Sequence, residues 1–137
     1  MRPVVVEFAA PVDVVFGYLS DPGRRPEWQS SLRRIERLRG DGDVGTSWRD
    51  VTAVGARPRM EVTEHHRDTS WAEIGHWGGI EAGLRLGFAT VPAGTEVTAT
   101  VDVTTSPLLR PMGWVLRRLA PYAIRSDLRR AARTLGS

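Results

Sequence analysis

Hydrophobic and polar residues change their spacing twice along this chain. From Arg2 to Ala9, the β-branched and aromatic residues Val4, Val5, Val6 and Phe8 predict a first strand. Pro11 then opens a segment in which Val12, Val15, Phe16 and Leu19 recur at helical spacing. Proline suits a helix start because the N–H it lacks would be unpaired there, and Asp13 places a carboxylate where the helix dipole favours one. Ser20-Asp21-Pro22-Gly23 stops this helix, and Pro26-Glu27-Trp28 begins a second short helical turn. From Leu32 the spacing becomes strand-like, over Leu32–Leu38, Thr46–Val54, Arg59–His66, Trp71–Trp77, Ile80–Val91 and Thr95–Thr104. Turn clusters at Gly40-Asp41-Gly42-Asp43, Arg67-Asp68-Thr69-Ser70, Gly78-Gly79 and Pro92-Ala93-Gly94 separate these runs, which favours an antiparallel meander over parallel units. Alternation is clearest late, where Leu84, Leu86 and Phe88 share one face, as do Val97, Ala99, Val101 and Val103.

The second change comes at Pro107. Leu109, Met112, Leu116, Leu119 and Ala123 form one apolar helical stripe, and Ala120, Ile124, Leu128, Ala131 and Leu135 form its neighbour. Pro121 lies inside this run and predicts a kink near Arg117–Pro121, because it removes one hydrogen bond and crowds the carbonyl four residues back. The fold class is therefore α+β: a seven-stranded antiparallel sheet, two short helices between strands 1 and 2, and one long C-terminal helix. A lone sheet cannot hide its apolar face, so the long helix is expected across the concave side, over residues 1–137 as a single domain.

Composition narrows the functional classes. The chain has 137 residues, 41% hydrophobic and 26% charged, which is ordinary for a globular domain. All nineteen basic residues are arginine, so the pI of about 10.5 overstates a net charge of only +3. There is no cysteine, hence no disulfide, thiol nucleophile or thiolate metal site. No stretch approaches the ~20 apolar residues of a membrane span, and Glu7 and Asp13 interrupt any signal-peptide core. A cytoplasmic protein is expected, monomeric or homodimeric.

Several motifs resemble the START-like superfamily called SRPBCC, in particular its polyketide cyclase/dehydrase-like members. Ala10-Pro11-Val12-Asp13-Val14-Val15-Phe16, Leu19-Ser20-Asp21-Pro22 and Pro26-Glu27-Trp28 are similar to the family's opening helix pair. Val44-Gly45-Thr46 following Gly40-Asp41-Gly42, then Met60-Glu61-Val62-Thr63-Glu64 and Gly94-Thr95-Glu96-Val97-Thr98, look like its hairpins, and Ser126-Asp127-Leu128-Arg129-Arg130 like its terminal helix. The resemblance spans nearly the whole chain. It implies a helix-grip fold, with the curved sheet wrapped around the long helix, and a pocket for a small hydrophobic molecule. These motifs determine fold rather than chemistry.

Candidate chemistry is sparse. The expected pocket lining is Leu84, Leu86, Phe88, Met112 and Leu116, with Trp48, Trp71 and Trp77 able to stack on a flat aromatic, polyketide-like or lipid-like ligand. Trp28 is read as a structural anchor, and Trp114, off the main stripe, as a cover for the pocket mouth or a partner surface. A four-residue loop at Arg67–Ser70 would pair His66 with Trp71 and Glu64 with Glu73. Facing inward, those two carboxylates and His66 would supply acid–base catalysis of the cyclase/aromatase kind; facing outward, they are ordinary surface. Mixed periodicity leaves strand parity open, since a one-residue slip swaps the faces. No HExxH-like ligand spacing, GxSxG elbow or phosphate loop appears, so no metal, cofactor or nucleotide is expected. The last helix carries Arg110, Arg117, Arg118, Arg125, Arg129, Arg130 and Arg133 against Asp127. That face is either solvated or touches an anionic membrane surface or, less in keeping with the weak net charge, nucleic acid; steeply salt-dependent binding separates these readings.

Overall fold

A computed structural model describes residues 2–136. Strand β1 (Val4–Phe8) leads into helix α1 (Val12–Leu19), a 3-10 turn (Pro22–Arg24) and helix α2 (Arg25–Trp28). Six strands follow: β2 (Leu32–Arg39), β3 (Ser47–Thr52), β4 (Arg59–His66), β5 (Ser70–Trp77), β6 (Ile80–Val91) and β7 (Gly94–Thr105). Helix α3 (Arg110–Thr134) ends the chain after a 3-10 turn at Pro107–Leu109. The order in the sheet is β1-β7-β6-β5-β4-β3-β2, antiparallel throughout, so the only non-sequential neighbours are the first strand and the last. Among the described residues no helix is long and apolar enough to cross a membrane.

The local signals operate as the residues suggest. Pro11 flanks α1, Asp13 lies in its first turn, and the Ser20 hydroxyl donates to the Phe16 carbonyl at 2.6 Å where the helix ends. Asp21 accepts from the Gly23 amide at 3.0 Å and starts the 3-10 turn. Gly94 (φ +144) is indispensable to the β1–β7 seam, because a Cβ there would lie 2.1 Å from the Phe8 carbonyl oxygen.

Alternation divides the inner face of the sheet into cross-strand rows. One row runs His65, Trp71, Leu86, Ala99 and Val4, and the next carries Phe88, Val97 and Val6. These rows pack against α1 and the second half of α3, with Phe16 edge-on to Phe88 at 5.0 Å between centroids. Toward the other end of the sheet the inner rows thin out: Gly75, Ala82 and Leu84 pair with Met60, Val103 and Val101. Small side chains there leave space that no helix fills.

Helix α3 is divided accordingly. The stripe expected to pack through Met112, Leu116 and Leu119 instead stays exposed, at 46%, 37% and 57%. Only the neighbouring stripe is seated: Leu128 and Ala131 are fully buried, and Ile124 and Leu135 pack against the core. The first half of the helix touches the sheet chiefly where Gly113 abuts Thr105 and where Arg117 donates to the Val103 carbonyl at 2.9 Å. The helix continues across Pro121 without a break.

Leu128→Ala is expected to cost about 2–5 kcal/mol, the usual price of a large buried truncation, whereas Leu119→Ala should change stability by less than about 0.5 kcal/mol. Urea denaturation of both variants checks this division of the helix.

Candidate functional site

The space under α3 is a cavity of about 220 Å³ between β3–β7, α2 and the middle of α3. Its apolar wall comes from Met60, Ala82, Leu84, Val101, Ala123 and Ile124. The polar wall is made of Arg25, Trp28, Gln29, Ser31, Asp50, Glu73 and Asp127, and it adjoins the apolar one, since Glu73 pairs with Leu84 and Asp127 lies one turn beyond Ile124 on α3. Ordinary drug-sized sites occupy roughly 300–1,000 Å³, so this one suits a small ring system or the end of a longer molecule.

Arg25 organises the polar wall. It is 2% exposed and meets Glu73 through both guanidinium nitrogens: Nη1 donates to Oε2 at 3.1 Å, and Nη2 donates to Oε1 in a shorter contact. Nη1 also reaches Gln29 Oε1 at 3.2 Å, and the guanidinium lies 4.9 Å from the Trp28 ring centroid. Burial works against the charge on Arg25, but Glu73 and the more distant Asp50 and Asp127 outweigh it, and the guanidinium pKa is raised.

One structural device occurs twice on the sheet. The Trp71 indole donates to Glu73 Oε1 at 3.0 Å, and the Trp48 indole donates to Asp50 Oδ1 at 2.8 Å. Residues two apart on a strand share a face, so each tryptophan holds the carboxylate next to it. Asp50 is the less satisfied of the pair. Burial pushes its carboxyl up to about 6, against the opposing pull of Arg25 and the Trp48 hydrogen bond. Asp127 is also raised by burial, although the Ser30 amide and hydroxyl donate to its Oδ1 at 3.2 and 3.0 Å and so tie α3 to the segment after α2.

Two donors in this wall have no acceptor among the described residues: Arg25 Nε and Trp28 Nε1, both fully buried. An unpaired buried donor costs about 1–3 kcal/mol, and neither atom presents surface to the cavity.

The residues singled out from sequence separate into distinct places. Leu84 lines the cavity. Leu86 and Phe88 lie in the packed core, and Trp71 and Trp48 support the carboxylates behind the polar wall. Trp77 remains half exposed at the end of β5. Met112 and Leu116, like Trp114, sit on the exposed first half of α3 rather than among the lining residues.

The expected pairing of Glu64 with Glu73 and of His66 with Trp71 is not formed. The β4–β5 loop has three residues rather than four, with Asp68 at φ +61, and a bulge after Val62 adds one residue to β4. Glu73 therefore pairs with Val62, Glu64 with Ala72 and His66 with Ser70. The bulge also reverses the face: Glu64 turns outward to Arg85 at 3.0 Å, and His66 is exposed. His65 points inward instead, between Phe16 and Trp71, with Nδ1 2.6 Å from the Gly42 carbonyl. Sequence reasoning missed Arg25, Asp50 and Asp127 as site residues. The repeated Trp-x-acid spacing at Trp48/Asp50 and Trp71/Glu73 was the available signal for the carboxylates.

Comparison with known proteins agrees with this fold. The family model described as polyketide cyclase/dehydrase and lipid transport matches residues 4–137. No curated protein matches the sequence. Among solved structures, a START superfamily protein from Mycobacterium smegmatis superposes with a TM-score of 0.77 at 15% identity, covering 98% of this chain and 97% of that one. The di-domain ARO/CYC StfQ from the steffimycin biosynthetic pathway gives 0.78 at 16% identity, covering 96% of this chain and 48% of that one. A protein from Deinococcus radiodurans gives 0.66 at 20% identity, covering 97% and 95%. At such identities the likeness is one of fold.

The raised Asp50 carboxyl makes a signed prediction. Its folded pKa exceeds the unfolded value of 3.8, so the native state holds the proton more tightly, and stability is greatest below about pH 4 and falls as pH rises to about 6. Asp50→Asn keeps an oxygen for the Trp48 indole and should remove that fall. At pH 7 the variant should gain on the order of 1–3 kcal/mol over the parent. Urea melts at pH 4, 5, 6 and 7 would show parallel profiles if the carboxyl carried no such penalty.

Proposed function

The chain belongs to the polyketide cyclase/dehydrase and lipid-transport family, and from that premise we propose that it binds a small hydrophobic molecule bearing an oxygen at one end. The observation that carries this reading is the mixed lining of the cavity, with aliphatic Leu84, Val101, Met60 and Ile124 beside polar Arg25, Gln29, Ser31 and Asp50. The apolar wall favours a ring or chain through burial of its surface. The polar side chains of Gln29, Ser31 and Asp50 in the same lining favour a hydroxyl or carbonyl oxygen on that molecule.

Charge refines the ligand class. One cation, Arg25, faces three carboxylates, Asp50, Glu73 and Asp127, in the same wall. A further anion would add to that excess, so a neutral oxygenated ligand fits better than a carboxylate. A hydroxyl group can accept from Gln29 or Ser31 and donate to Asp50.

The cavity is better equipped to hold than to transform. Glu73 already accepts three hydrogen bonds, two from Arg25 and one from Trp71. Glu64 and His66 lie on the outer face. A cyclase- or aromatase-type reaction would rest on Asp50, the carboxylate with one hydrogen bond and a pKa near neutrality.

A ligand pair differing by one oxygen tests the proposal. 1-Naphthol should raise the melting temperature more than naphthalene, and Leu84→Trp, which fills the cavity, should abolish both shifts. Native mass spectrometry should show one bound naphthol per chain. Equal shifts for the two compounds, or binding undiminished by Leu84→Trp, would overturn it.

A further inference from the structure

The outer face of the sheet, opposite the cavity, carries a second pocket of about 250 Å³ lined by Arg37, Arg39, Ser47, Trp48, Arg49 and Arg59. Four of these six residues are arginines, and no carboxylate is among them. Glu36, the cross-strand partner of Arg49 and close enough to feel the charge of Arg37, has its carboxylate engaged by Arg34 at 2.8 Å and approached by Arg57 at 4.0 Å. Glu61, two residues beyond Arg59, forms no ion pair with any of the four among the described residues.

Two features of this pocket work against stability. Arg49 and Arg59 are direct cross-strand partners, and like charges placed opposite one another destabilise a sheet. Arg37 adopts φ +54, the left-handed region that favours glycine, within a register shift between Glu36 and Arg39. That irregularity lets Arg37 and Arg39 join the pocket from one edge strand, β2. Folding alone gives no reason to gather four guanidiniums this way. A bound anion does.

We propose that this pocket is an anion site for a phosphate-type group carrying at least two negative charges. Each guanidinium presents a planar fork of donors matched to phosphate oxygens. A single carboxylate, with two oxygens, would leave most of these donors unused, whereas a diphosphate offers acceptors to all four arginines. Ser47, in the middle of the cluster, adds a hydroxyl. Bound phosphate would turn the Arg49–Arg59 repulsion into a bridged contact. The pocket and the apolar cavity occupy opposite faces of β3 and β4, so the two ligands would not compete for space.

Inorganic pyrophosphate is the probe. Titrated calorimetrically into the full chain at low ionic strength, it should bind one to one, and more tightly than sulfate or chloride at matched ionic strength. Arg49→Gln/Arg59→Gln should weaken that binding by about tenfold or more. Arg59→Gln alone should raise the melting temperature in phosphate-free buffer, because it relieves the like-charge pair; this gain separates lost binding from lost folding. Arg117→Gln/Arg118→Gln, on α3, should leave pyrophosphate affinity unchanged. Vesicles containing phosphatidic acid distinguish the source of the phosphate. Recruitment lost in Arg49→Gln/Arg59→Gln points to a lipid headgroup, and recruitment indifferent to those changes, with pyrophosphate still bound, points to a soluble phosphate ester. No preference for pyrophosphate over sulfate, or equal affinity in parent and Arg49→Gln/Arg59→Gln, would overturn the proposal.

Discussion

The buried Arg25–Glu73 pair is the constraint around which the rest of this molecule is arranged. Arg25 sits on α2, a four-residue helix that could not persist alone, and Glu73 sits in the middle of the sheet. Taking two charges out of water is costly, and the bidentate geometry, with further hydrogen bonds to the Trp71 indole and Gln29, offsets that cost although Arg25 Nε stays unpaired. The pair fastens the helical connection between β1 and β2 onto β5, forty-eight residues away in sequence. It also places a cation in the wall of the cavity, beside Asp50 and Asp127.

That placement explains the neighbouring groups. Asp50 and Asp127 crowd the same wall, and burial raises the pKa of both carboxyls. The cavity itself is a consequence of residue size. The small Ala82, paired with Gly75, leaves the inner face low where α3 crosses it, while Leu128, Ala131 and Ile124 seat the same helix firmly further on. The exposed Met112, Leu116 and Leu119 belong to the portion of α3 that spans open space.

Fold was legible because it rests on patterns that repeat. Strand runs, the Gly40-Asp41-Gly42 and Gly78-Gly79 turns, the Pro11 helix start and the Pro107 transition each report on local backbone preference, and together they specify the meander and its closing helix. The site was less legible, and for identifiable reasons. The bulge after Val62 reverses parity within a single strand, so alternation read from Met60 onward sends Glu64 and His66 to the wrong face and hides His65. Arg25 carries no local sign of burial, because its partner lies across the fold. The two stripes on α3 are equally apolar in sequence, and only the residue sizes on the facing sheet decide which one packs.

A double-mutant cycle on the central pair tests the account most directly. Arg25→Met and Glu73→Leu should each cost about 3 kcal/mol or more in urea denaturation, since either leaves a buried charge without its partner. The double variant should be far less damaging than the sum, giving a coupling energy above about 2 kcal/mol. Additive losses would mean that the pair is not what joins α2 to the sheet, and would contradict the account.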